Sequence, residues 1–198
     1  MVSQAVDQYL AGLVGVGAVI LVEGRSDQAA LEALAQRRGR SLVDEGIAIV
    51  PMGGATNIGP FLERFGPHGL NVGLAGLCDV GEERYFRRGL ERAGLGSNLS
   101  RAEMEALGFF VCVEDLEDEL IRCLGAGYVE RTIEEQGELR SLLILQQQPA
   151  QRGRSTEQQL RRFMGSQSGR KSRYARLLVQ ALDADRAPRA LDRVLAHL

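Results

Sequence analysis

Histidine is nearly missing from this chain of 198 residues, with only His68 and His197 present. A histidine-based metal site or a histidine-dependent nucleophilic triad therefore has little material to draw on. Cysteine is scarce as well: Cys78, Cys112 and Cys123 lack CxxC spacing, which argues against both a zinc site and a disulfide framework. No apolar run reaches the length of a membrane span. Residues 9–22, the most apolar stretch near the start, are short, Gly-rich and without a basic leader or a convincing cleavage site, so a cytoplasmic protein is expected. Any metal site must then be built from carboxylates, and oxygen ligands favour Mg²⁺ or Mn²⁺.

Lysine is the rarest charged residue. Lys171 stands alone against 23 arginines. A chain that uses arginine for generic positive charge retains lysine either by chance or where a compact ammonium is needed and a planar guanidinium does not fit. The net charge of −2 conceals an asymmetry, since residues 1–151 sum to −9 and residues 152–198 to +7. An acidic body with a basic tail suits a protein that collects cations in one place and phosphates in another; the alternative is a solvated basic helical face. Arg152, Arg154, Arg161, Arg162, Arg170, Arg173 and Arg176 are the residues that could follow a phosphate backbone.

What is present is a series of short aliphatic runs, each followed by a helical pattern. Residues 17–23 read as a buried strand ending in Glu23, with Gly24 allowing a tight turn and Ser26 or Asp27 able to cap a helix near 27–39. Residues 47–50 form a second strand, followed by Pro51-Met-Gly-Gly-Ala-Thr-Asn57 and a helix over about 57–65. A third strand, 71–78, ends in Asp79 and precedes a helix over 82–93. The fourth, 109–113, runs into Glu114-Asp-Leu-Glu-Asp-Glu119. Such alternation predicts an α/β fold with a four-stranded, mainly parallel sheet flanked by helices. Beyond residue 115 the pattern is helical over 116–124, 128–147, 155–164, 171–183 and 187–197, and residues 1–17 suggest a further amphipathic helix. The expected organisation is an α/β core over 1–125 and a helical C-terminal region over 126–198 that carries the basic segment and Lys171.

Three of the four strands end in acids: Glu23, Asp79, and the group Glu114, Asp115 and Glu117. In a parallel sheet these ends share one edge, where open α/β sheets bind ligands. Carboxylates converging without a counter-charge raise each other's pKa, and a divalent cation removes that cost. Gly53, Gly54, Thr56 and Asn57 make a Gly-rich turn onto a helix N-terminus, which suits a phosphate or is a capped turn and nothing more. Arg25 either contacts nucleic acid or pairs with an acid. Gly165-Ser-Gln-Ser-Gly-Arg-Lys-Ser172 superficially resembles a P-loop, but Arg170 occupies the position that requires glycine and no strand precedes it, so nucleoside-triphosphate hydrolysis is rejected.

VEGRSD after the first strand, PMGGATN after the second, LCDVGEE after the third and the later VEDLEDEL together resemble the TOPRIM (Rossmann-like) domain. Within it they are most similar to the C-terminal nuclease domain of the OLD family of endonucleases, and Gly169-Arg-Lys-Ser-Arg-Tyr-Ala-Arg-Leu-Leu178 extends the resemblance to the lone lysine. The resemblance implies that Glu23 is the TOPRIM glutamate, acting in metal binding and acid/base chemistry. Asp27 matches the second acid of the OLD-type variant, Asp79 the first Asp of DxD, and Asp115 with Glu117 the acidic pair at a second metal. Lys171 would neutralise charge on the transition state. One departure stands out, because the second Asp of DxD is replaced by Gly81; Glu82 or Glu83 could reach back in its place. The implied activity is phosphodiester hydrolysis in DNA, with RNA as an alternative, using two Mg²⁺ or Mn²⁺ ions. Arg25, Gly53, Gly54, Arg170 and Arg173 are the implied nucleic-acid contacts. The ATPase domain that OLD proteins carry before the nuclease is not in this sequence, so the chain would act alone or with a separate ATPase. A non-catalytic TOPRIM module that binds nucleic acid or a partner is the competing reading, and Gly81 favours it.

Overall fold

The computed structural model describes residues 15–183 and 186–198. The helix expected at the N-terminus lies almost entirely outside them. Four parallel strands, β1 (Ala18–Val22), β2 (Ile47–Pro51), β3 (Gly73–Cys78) and β4 (Phe109–Val111), form one sheet in the order β2-β1-β3-β4. β1 is central and pairs in register with both neighbours, Val22 lying opposite Pro51 on β2 and Leu77 on β3. The connecting helices are α1 (Arg25–Arg37), α2 (Ile58–Phe65), α3 (Glu83–Arg92) and the short α4 (Arg101–Ala106). α4 has no counterpart among the elements expected from the sequence, although its N-terminus carries a recognisable signal: the Ser100 hydroxyl accepts from Glu103 N–H, and the Glu103 carboxylate accepts from Ser100 N–H.

The alternation along β1 splits the apolar interior into two layers. Ile20 and Val22 face one side, with Ala75, Leu77 and Phe110, and Val19 and Leu21 face the other, with Phe109 and residues of α2 and α3. The first layer is closed by α1 together with the C-terminal helices, so the helical region shares a continuous core with the sheet. Gly76 on β3 is demanded by this packing. A Cβ there would stand 2.5 Å from Cδ1 of Phe109, whose ring makes an edge contact with Phe86.

Past the sheet come α5 (Leu116–Leu124), α6 (Ala126–Glu135), α7 (Leu139–Gln146), α8 (Thr156–Met164), α9 (Arg170–Ala181) and α10 (Arg189–His197). The single helix expected over 128–147 is two helices, broken at Gly137, where φ is +71°. α9 lies along α1 and touches α5, and α10 packs over β3 and β4. Arginines of α1 and the loop after it secure this arrangement. Arg37 donates to the carbonyls of Gln180 and Leu182 at the end of α9, Arg38 pairs with Asp192, and Arg40 reaches the Leu195 carbonyl of α10. Among the described residues no helix is long and apolar enough to cross a membrane.

Candidate metal and phosphodiester site

The strand ends meet through their backbones before any side chain is involved. Met52 N–H donates to the Val22 carbonyl (2.9 Å), Gly54 N–H to the Glu23 carbonyl (3.0 Å), Cys112 N–H to the Cys78 carbonyl (2.8 Å), and Val80 N–H to the Glu114 carbonyl (3.3 Å). The segments that leave the strands are thus tied in two pairs along one edge, β1 with β2 and β3 with β4. Gly53 (φ +73°) and Gly54 (φ +123°) are needed to bring the loop after β2 against Glu23, and Asn57 closes that loop by donating to the Met52 and Gly53 carbonyls. Gly24, by contrast, is extended (φ −148°, ψ −175°), so no conformational demand explains it.

Side chains complete the site from the end of β1 and the first turns of α1, α5 and α9. Glu23, just past β1, accepts Asp79 N–H at 3.0 Å through Oε1 and so joins the ends of β1 and β3. Asp27 sits in the first turn of α1 and accepts Gly24 N–H at 2.9 Å, the reach-back half of a capping box. Asp115 caps α5, accepting Asp118 N–H at 2.9 Å. Glu117, in the first turn of α5 and almost wholly buried, pairs through Oε2 with Lys171 Nζ at 2.9 Å. The other oxygen of Glu117, Oε1, is buried with no hydrogen-bond partner. Lys171 comes from the first turn of α9, and only the packing of α9 on α1 and α5 delivers it here.

Electrostatics describe a set of carboxylates with too little compensating charge. Burial pushes the Asp27 carboxyl up to about 7, against which Gly24 N–H and Lys171 pull down. Asp79 is pushed up to about 8 by burial and by the negative charges of Glu23, Asp27 and Asp115. Glu23 is raised by burial and by Glu82, and Glu117 is raised by burial despite Lys171. Burial works to lower the Lys171 ammonium, but Glu117, Asp27 and Asp79 outweigh it and hold it above the ordinary lysine value. Acids whose pKa is raised by burial, one of them (Glu117) with an orphaned oxygen, fit the donor set of a hard divalent cation. Among the described residues no three such side chains are closed into a ready-made cage. One oxygen each of Glu23, Asp27 and Glu117 and both of Asp115 are instead engaged with N–H groups, Lys171 and an arginine.

That arginine is Arg161 of α8, which sequence reasoning placed only within a basic stretch. Its Nε lies 2.5 Å from Asp115 Oδ2 and its Nη1 4.0 Å from Glu114, so both oxygens of Asp115 are occupied. A cleft of about 560 Å³ opens beside this contact, lined by Asp115, Glu117 and Lys171 together with Arg154, Arg161 and Arg162. Other basic residues have different surroundings. Arg170 is buried, stacked 4.1 Å over the Phe163 ring and 2.9 Å from Glu138, which also takes Arg173 and the Tyr174 hydroxyl; neither arginine is a free surface cation. Arg25 is exposed and has no ion pair among the described residues. Of the two acids beside Gly81, Glu83 is committed to Arg87 and Arg101, while Glu82 bears on Glu23. A Cβ at Gly81 would meet nothing within 4 Å.

Residues 17–80 match the family described as Overcoming lysogenization defect protein-like, TOPRIM domain. Among solved structures, the C-terminal region of the Burkholderia pseudomallei OLD protein is similar in fold, with TM-score 0.72 at 22% identity over 93% of this chain and 97% of that one. The C-terminal region of the Xanthomonas campestris pv. campestris OLD protein is similar with TM-score 0.70 at 28% identity, over 92% of this chain and 94% of that one. No curated relative matches the sequence.

Proposed function

From the premise that this chain carries an OLD-like TOPRIM domain, we propose that it is a divalent-cation-dependent nuclease hydrolysing phosphodiester bonds of DNA. One observation carries the reading: Glu23 and Asp79 at two strand ends, with Asp27 and Glu117 in the first turns of α1 and α5, lie along the sheet's carboxyl edge with their pKa values raised by burial, and the chain's only lysine is among them. Glu23, Asp27, Asp79 and Glu117 are the residues that would hold Mg²⁺ or Mn²⁺, in two ions, with Asp115 available once Arg161 leaves it. When bound, such cations supply a hydroxide at neutral pH and stabilise the oxygen leaving the phosphorus.

The chain's own residues do the rest. Lys171, a compact ammonium beside the carboxylates, neutralises charge that builds on the phosphoryl oxygens as water adds. Glu23 is held by Asp79 N–H so that one oxygen stays oriented while the other is available to a ligand or a proton. Arg154 and Arg162 give the cleft the positive wall that a polyanion needs. Arg25, Gly53 and Gly54 border the same edge as candidate backbone contacts.

Incubating the protein with supercoiled and linear DNA in Mg²⁺, Mn²⁺ or chelator tests the reading. Cation-dependent cleavage that disappears in Glu23→Gln is the expected result; cleavage that survives in that variant removes the site from consideration. Gly81 and the commitment of Glu83 to two arginines favour a second reading, a TOPRIM module that binds nucleic acid without cutting it. Low-salt binding of DNA without cleavage under any cation is the result that establishes it.

A further inference from the structure

The contact between Arg161 and Asp115 has the wrong sign for a finished cation site. A guanidinium occupies the oxygen that a metal would use, yet the arginine is not buried: its side chain is 41% exposed and stands on the wall of the cleft, with Arg154 and Arg162 beside it. Asp115 is anchored from the other side, since Oδ1 caps α5, so it keeps its place whichever cation meets Oδ2. Arginine suits both partners, because its planar fork matches a carboxylate and a phosphate diester equally well.

We propose that Arg161 is an exchange latch. In the cation-free protein it neutralises Asp115; when a divalent cation takes Asp115, Arg161 swings off and binds a non-scissile phosphate of the nucleic acid in the cleft. This rests on the nuclease reading for the identity of the polyanion. The consequence is coupling: cation and nucleic acid each tighten the other's binding, by the same factor. Arg154 lines the same cleft and has no ion pair among the described residues, so it meets phosphate whether or not a cation is present.

The test uses the whole chain. Mn²⁺ binding is measured by isothermal titration calorimetry, and binding of a fluorescein-labelled phosphorothioate DNA duplex by anisotropy across a salt series, with and without Mn²⁺. Arg161→Gln is expected to bind Mn²⁺ at least about fivefold more tightly than wild type, because no side chain competes for Asp115. In wild type, Mn²⁺ steepens the salt dependence of duplex binding by about one ion released. Arg161→Gln loses that step, Arg161→Lys recovers it in part, and Arg154→Gln weakens duplex binding equally with and without Mn²⁺. Equal Mn²⁺ affinity in wild type and Arg161→Gln overturns the latch and leaves the nuclease reading standing. No Mn²⁺ binding by either protein overturns both.

Discussion

Replacing Asp27 with asparagine should stabilise the cation-free protein, and do so in a pH-dependent way. The Asp27 carboxyl is 8% exposed and raised from 3.8 to about 7. Between those values the folded protein holds a proton that the unfolded chain has released, so wild-type stability falls as pH rises through this window and levels off above about pH 7.5. A rise of about three pH units corresponds to a cost of at most about 4 kcal/mol at pH 8, and relaxation of the site reduces the gain on substitution to about 2 kcal/mol. Asparagine keeps an acceptor for Gly24 N–H and carries no charge to bury. Urea unfolding followed by circular dichroism in chelator, at pH 4.5, 6 and 8, reads the difference. The variant's advantage should grow from pH 4.5 to 8. Adding Mn²⁺ should then shrink that advantage at pH 8, since wild type gains about 2.7 kcal/mol at one hundred times its dissociation constant and the variant gains less. An Asp27→Asn protein with no advantage at pH 8, or with one that is flat in pH, would refute the argument that burial holds this acid near neutrality.

Lys171→Met should slow cleavage about 100-fold while cation affinity stays nearly intact, as for loss of one transition-state donor; parallel loss of both in calorimetry and single-turnover cleavage would mark Lys171 as structural. Gly81→Asp restores an acid where there is open space and should tighten Mn²⁺ binding, whereas Glu83→Gln should leave it unchanged; a calorimetric titration separates the two. Gly76→Ala should destabilise by about 1–3 kcal/mol through overpacking on Phe109, and Phe109→Leu in the same chain should recover part of the loss in urea. Glu138→Ala leaves the buried Arg170 guanidinium uncompensated and should cost about 3 kcal/mol in the same measurement, with Glu138→Gln losing less.

Much of the architecture is local and was readable from residue order alone. Short β-rich runs punctuated by glycine and followed by helical periodicity dictate a parallel sheet, because a right-handed crossover is the only economical return path. Boundaries came out close for α5 and α8, where an acidic first turn and a Ser155 cap announce the start. The break at Gly137 and the short α4 were missed: apolar spacing on both sides of Gly137 stayed helical, and six residues are too few for periodicity to register.

The acids at the strand ends were equally legible, since any residue that follows a parallel strand must emerge on the same edge. Sequence alone therefore determined the sheet, the edge and the identity of Glu23, Asp27, Asp79, Asp115 and Glu117 as its acids. Tertiary structure decided which charges those acids meet. Lys171 is 54 residues from Glu117 in sequence, and Arg161 is 46 from Asp115; only the packing of α9 on α1 and α5, and of α8 on α5, brings them into reach. It also withdrew Arg170 and Arg173 to Glu138 and separated Glu82 from Glu83. Charge pairing is a property of distance through space, and no spacing along the chain encodes it.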